Sequence, residues 1–118
     1  MARHNEIGEI GEDLAKNYLV QQGYTILTTN YRYLKAEIDI IAQKGEILAI
    51  VEVKTRTSDD FGAPESFVDK KKIKRILDAT NAYIDEHDLD LDVSLDIIAV
   101  LFGKEVEIEH LPNAYYYF

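Results

Sequence analysis

Two short stretches place charged side chains where apolar ones belong. Glu37-Ile38-Asp39-Ile40-Ile41 sets two acids among isoleucines, and the run Ile47-Leu48-Ala49-Ile50-Val51 continues into Glu52-Val53-Lys54. Side chains on an extended strand alternate between faces. Glu37 and Asp39 are therefore expected on one face, with Ile38 and Ile40 on the other. Glu52 and Lys54 likewise share a face, opposite Val51 and Val53. Two carboxylates gathered in this way offer hard oxygen ligands that can hold one divalent cation between them.

Whether these groups gather depends on how the strands pair. A loop with an even residue count, either Lys44-Gly45 or Gln43 to Glu46, sets Ile41 against Leu48, Asp39 against Ile50 and Glu37 against Glu52. Asp39 and Glu52 are then diagonal neighbours on one face, with Cα atoms roughly 7–8 Å apart. A three-residue loop instead puts them on opposite faces. The plain alternative is a pair of solvated acids at a strand end, with Lys54 as a surface ion pair worth little. Against that, both strands are otherwise strongly apolar and read as central, and acids buried there need partners.

The elements that must position these residues are legible from periodicity. Asn5 is a candidate cap for a first helix with Ile7, Ile10, Leu14, Ala15, Tyr18 and Leu19 at helical spacing, ended by Gly23. Tyr24 to Tyr33, Glu37 to Gln43 and Glu46 to Thr55 read as strands. Arg56 to Pro64 reads as a loop. Asp69 is placed to cap a second helix with Ile73, Ile76, Leu77, Thr80, Tyr83 and Ile84 on its apolar face, closed by the acidic stretch Asp85 to Asp92. Val93 to Phe102 and Val106 to Leu111 are the last two strands, turning at Gly103-Lys104. The order α-β-β-β-α-β-β predicts one α/β or α+β domain over residues 1–118, a sheet with helices packed on it.

Composition narrows the function classes. The 118 residues carry 22 acids and 13 Lys or Arg, a net charge of −9. That argues against coating nucleic acid by bulk charge, which requires a basic surface, but leaves room for a local basic patch. With no cysteine, disulfides, thiolate zinc sites, iron–sulfur ligation and cysteine nucleophiles are excluded. The start MARHNEIGEIGED lacks the apolar run of a secretory signal. No stretch approaches the ~18 apolar residues of a membrane span. The expectation is a cytoplasmic protein without membrane contact.

Several other residues are candidates beside plainer readings. Glu12, at the edge of the first helix's apolar stripe, is either a further acid of the site or a solvated acid favoured by the helix dipole. Lys70, Lys71, Lys72, Lys74 and Arg75 put five bases in six residues at a helix start, where they oppose that dipole. They read as phosphate contacts, or as a solvated face with Asp69 and Asp78 as partners. Arg32 and Arg56 flank the site and are expected to join it. Asp96, inside an apolar run, is expected to hydrogen-bond a loop backbone or to pair with Lys54. His4, His87 and His110 lack ligand spacing, so a histidine zinc site is not expected. Tyr115-Tyr116-Tyr117-Phe118 is an aromatic tail suited to covering a core or a dimer seam, or to stacking on bases.

An acid on one strand and Glu-x-Lys on the next resemble the PD-(D/E)xK nuclease superfamily. The ordered set Ile7-Gly8-Glu9-Ile10-Gly11-Glu12, Asn30-Tyr31-Arg32, Glu37-Ile38-Asp39, Val51 to Arg56, Phe61-Gly62 and His110 to Ala114 resembles more closely the YraN-like family of bacterial proteins. These are described as predicted endonucleases related to Holliday-junction resolvases. The resemblance implies a restriction-endonuclease-like αβββαβ core with one extra C-terminal strand. It implies Asp39 and Glu52 as ligands of Mg2+ or Mn2+, Glu12 as an outer or additional ligand, and Glu37 in support. Lys54 would orient the attacking water and stabilise phosphate charge. Ala36 stands where the family usually has Gly, and Ser94 where it tends to have Arg. The expected function is metal-dependent hydrolysis of phosphodiester bonds in DNA, branched or otherwise structured, by a homodimer if the substrate is a two-fold junction. The alternative is a non-catalytic module that keeps the fold and binds nucleic acid or protein.

Overall fold

The computed structural model describes residues 2–57 and 70–114, with side chains from residue 6 onward. The elements run α1 (Ala2–Gln21), β1 (Thr25–Tyr33), β2 (Ala36–Lys44), β3 (Ile47–Thr57), α2 (Lys70–His87), β4 (Asp92–Phe102) and β5 (Val106–Leu111). This is the αβββαβ order expected of a restriction-endonuclease-like core, with β5 as the additional strand. The five strands form one mixed sheet in the order β1-β2-β3-β4-β5. β3 and β4 are parallel, so the chain must cross over between them, and α2 lies in that crossover. The other pairings are antiparallel.

The helices cover opposite faces of the sheet. Ala15 and Leu19 of α1 pack on Ile40, Ala42, Ala49, Val51, Ile98 and Val100. Ile76, Ala79 and Tyr83 of α2 pack on Ala36, Ile38, Ile41, Leu48, Ile50 and Ile97. The central strands β2, β3 and β4 are thus buried on both faces, which is why they read as apolar runs rather than alternating ones. The methyl group of Ala36 is part of this core at 7% exposure. Two residues assigned to apolar helix faces are half out of the core: Ile10 is 49% exposed and Leu77 41%.

Most strand ends shift by a residue from expectation, and three boundaries bear on the argument. α1 already begins at Ala2, so Asn5 is inside the helix and does not cap it. Arg56 and Thr57 extend β3 instead of opening the loop, because the parallel ladder with β4 continues to Thr57↔Phe102. α2 stops at His87 and Asp92 already belongs to β4. The expected Asp69 cap, the rest of the 56–64 loop with Phe61-Gly62, and the aromatic tail lie outside the described residues, as does the side chain of His4.

The hairpin between β2 and β3 turns at Gly45-Glu46, with Gly45 at φ 59°. A glycine with positive φ at the first loop position is the pattern of a type II′ turn. The loop has an even count, as the site requires, but it lies one residue later than Lys44-Gly45. Ile41 therefore faces Ile50 rather than Leu48, and Gln43 faces Leu48. The last pair of the ladder is Ile40↔Val51. Beyond it β2 stays paired with β1 as far as Ala36, and parts from β3.

A second irregularity was not foreseen. Asn30 has φ 53°, and no pair joins it to Asp39 between Thr29↔Ile40 and Tyr31↔Ile38. Across this point the alternation of faces slips: Ile40 belongs to the core under α1, and Ile38 to the core under α2. Ile38 and Ile40 do not share a face, which corrects the simple alternation. A further β-bulge lies at Leu27, between Ile26 and Thr28.

Candidate active site

Asp39 sits where β2 changes face and leaves β3. Its Oδ2 accepts the Val53 N–H at 2.8 Å, doing what a ladder partner would do had the strands stayed paired. The residue borders cavities on both sides of the sheet. Under α1 it lines a cavity of about 320 Å3 with Glu12, Val53, Thr55 and Arg56. Toward α2 it borders a void of about 10 Å3 with Glu37, Glu52 and Ile76, the size of roughly one water molecule. Burial and the charges of Glu12, Glu52 and Glu37 outweigh the Val53 bond and push the Asp39 carboxyl up to about 6.

Glu12 reaches this centre because α1 lies unusually close to β3. A Cβ on Gly11 would fall 2.2 Å from Thr55 Oγ1, so glycine permits the approach. Burial first, and Glu37 next, raise the Glu12 carboxyl above its ordinary range. Glu37 is exposed and pairs with Arg32 at 3.4 Å, so Arg32 is tied to the acid side of the site.

Glu52 and Lys54 lie on the α2 face, as strand alternation requires. Lys54 Nζ is 3.0 Å from Glu52 Oε1, and both side chains are largely buried. Lys72 of α2 binds the same Glu52 oxygen. Burial is the largest influence on Lys54 and lowers it from its ordinary value despite Glu52. For Lys72 burial also pulls downward, but the hydrogen bond and charge of Glu52 prevail and raise it. Lys72 was expected among the phosphate-binding bases, and its place at Glu52 was missed. The signal was present: Lys72, Ile76, Thr80 and Tyr83 follow the helical period, and the last three are buried. Of the other bases, Lys70, Lys71 and Arg75 are exposed, and Lys74 pairs with Asp78 at 3.4 Å in solvent.

Asp96 does hydrogen-bond backbone, accepting the Asn113 N–H at 3.1 Å. Among its described partners is His110 Nε2 at 2.8 Å, and Ser94 Oγ also donates to it. With Nε2 donating to the carboxylate, His110 Nδ1 is left to accept from the Tyr18 hydroxyl at 3.3 Å. Ser94 and His110 both bond the acid rather than each other, so this is no relay for nucleophilic attack. It ties β4 to β5 and to α1, and Ser94 serves that frame.

Among the described residues no three His, Asp or Glu side chains are close enough together to hold a metal ion. Glu12 shares a cavity with Asp39 without joining it and Glu52 in a three-carboxylate cluster. Mg2+ needs fewer protein ligands, ordinarily one or two carboxylates completed by waters and substrate phosphates. The test of fit is therefore charge and donor type. The donors are hard oxygens, and burial and surrounding negative charge make ionised Asp39 costly, raising its carboxyl to about 6. A cation would relieve that crowding, so the residues fit Mg2+ or Mn2+ in kind.

Fold and site define a small α+β domain of restriction-endonuclease-like topology, with acids and lysines drawn together where two central strands part. The chain belongs to the uncharacterised protein family UPF0102, whose model matches residues 11–100. It is 54% identical to a UPF0102 protein of Flavobacterium psychrophilum and 49% identical to one of Christiangramia forsetii, each over the full length of both chains. A UPF0102 protein of Parabacteroides distasonis is 46% identical over 98% of this chain and 97% of its own. No described helix is long and apolar enough to cross a membrane.

Proposed function

We propose that this protein is a metal-dependent endonuclease of the cytoplasm that hydrolyses phosphodiester bonds in DNA, branched or structured DNA in particular. The observation that carries the reading is Asp39: a largely buried carboxyl crowded by Glu12, Glu37 and Glu52 at the end of the β2–β3 ladder. Asp39 and Glu52 would hold Mg2+ or Mn2+, with Glu12 as an outer ligand and Glu37 in support. A cation bound there would polarise the scissile phosphate and lower the pKa of an attacking water. Lys54, with its lowered pKa, would orient that water and meet charge on the phosphate. Lys72 holds Glu52 in place and adds a second cation. Arg56 borders the cavity beside Asp39 and would face the DNA backbone, with Arg32, Lys70, Lys71, Lys74 and Arg75 further out. A two-fold junction would be cut by a homodimer.

A second reading has one observation in its favour: Lys54 and Lys72 already neutralise Glu52. On that reading the fold is kept as a non-catalytic adaptor and the site is an ion-pair network. Cleavage of duplex, flap and four-way junction substrates with Mg2+ and Mn2+ separates the two, together with thermal melts. An endonuclease cuts at least one substrate, and Asp39→Asn abolishes cutting. The cation raises the parent's melting temperature by mass action, and raises that of Asp39→Asn less. No cutting and no cation-induced shift in the parent would assign the protein to the adaptor class.

A further inference from the structure

The β1–β2 hairpin ends in a residue that packing does not explain. Leu34 is 86% exposed, and its φ is 54°. A bulky side chain at positive φ is strained, and this one gains no burial in return. Glycine would take the conformation without a Cβ penalty. Strain kept at an exposed position points to use.

Beside Leu34 is a cavity of about 400 Å3 bounded by Tyr33, Leu34, Lys35, Ala36, Arg75 and Asp78. Tyr33 is 38% exposed. Lys35 and Arg75 put cations on an apolar hollow, Asp78 is engaged by Lys74, and Lys71 stands one helical turn before Arg75. In a chain of net charge −9 this local excess of cations is selective. An apolar aromatic wall with a cationic rim matches one nucleotide: the base lies on the wall and the phosphate on the rim. A base inside a duplex is stacked and paired, and cannot enter without being extruded.

We propose that this cavity receives an unpaired nucleotide of branched DNA, with Leu34 as the apolar wedge against the last base pair and Lys35 and Arg75 on the phosphate. Apolar side chains inserted at base steps act in this way in other DNA-binding proteins. The proposal rests on the endonuclease reading and names the feature that would select its substrate. Leu34 is five residues from Asp39, at most ~17 Å of extended strand. At ~3.4 Å per nucleotide step, cleavage falls within about five nucleotides of the branch.

The test measures binding of the full-length protein with Mg2+ in an Asp39→Asn background, so that nothing is cut. Substrates are a plain duplex, a flap and a four-way junction carrying 2-aminopurine at the branch. Leu34→Gly removes the wedge while suiting the backbone, so folding is not at risk. Its expected effect is an at least tenfold loss of preference for branched DNA, duplex binding unchanged, and loss of the 2-aminopurine brightening that the Leu34 protein produces. Unchanged preference, or equal weakening on duplex, would overturn the wedge while leaving the endonuclease reading standing. A dimer that Leu34→Gly dissociates would assign the surface to a second copy instead. If the Leu34 protein binds none of the three substrates, the wedge and the endonuclease reading both fall.

Discussion

Asp39 carries an electrostatic cost that can be measured apart from any activity. Its pKa is pushed from an ordinary 3.8 to about 6 in the folded protein. The folded state therefore keeps the proton after the unfolded chain has lost it, and stability falls as pH rises from about 4 to about 6. Above that range the cost is complete, up to about 3 kcal/mol for a shift of this size. Asp39→Asn keeps an oxygen for the Val53 N–H and removes the charge. Denaturant unfolding with chelator should find the variant more stable than the parent at pH 7, with the difference closing toward pH 4. A loss of roughly 3–5 kcal/mol would instead mark Asp39 as half of a buried ion pair. At this scale the sequence was informative wherever residue type opposed its surroundings, as at Asp39, Glu52 and Lys54. It was silent where a role depends on a distant partner. Ser94 stood out only as a departure from the usual Arg, and its hydroxyl donates to buried Asp96 and lies 3.0 Å from Asn113 Oδ1.

Among elements, the placement of α1 against β3 decides whether Glu12 can approach Asp39 at all. Gly11→Ala would improve helix propensity by up to about 1 kcal/mol, but its methyl meets Thr55 Oγ1 at 2.2 Å. Overpacking of this kind costs about 1–3 kcal/mol, so a net loss is expected. Adding Thr55→Ala should recover it, since the two sites touch and cannot act independently. Equal losses with and without Thr55→Ala would mean that the helix does not sit where the glycine places it. The strands and helices themselves were readable, because periodicity and apolar runs report burial directly. The register was not, nor was the change of face along β2, although the faces of Glu52 and Lys54 on β3 were. The hairpin slides by one residue because Gly45 takes the first loop position, and the left-handed Asn30 flips the outward and inward residues of β1 and β2. Both are decided by backbone conformations that several residue types can adopt, so composition alone leaves them open.

For the whole molecule, the proposed function sets a net charge of −9 against a polyanionic substrate. The α2 bases are the local exception. Lys70, Lys71 and Lys74 can be neutralised together while Lys72 remains on Glu52. On the proposed function this triple change weakens binding to all DNA sequences alike and flattens the plot of log affinity against log salt, by up to about 3 in slope. An unaltered slope would reduce these lysines to a solvated face. The sheet's two margins have a different consequence. Among the described residues β1 and β5 are the outermost strands, and strand edges invite other chains to extend a sheet. β1 offers a ladder broken at Leu27 and again at Asn30. β5 carries exposed Glu107 and Glu109, which would confront one another if two copies met edge to edge. Both margins are thus unfavourable to sheet extension, which guards a strand-rich molecule against aggregation and leaves any ordered pairing of two copies to other surfaces.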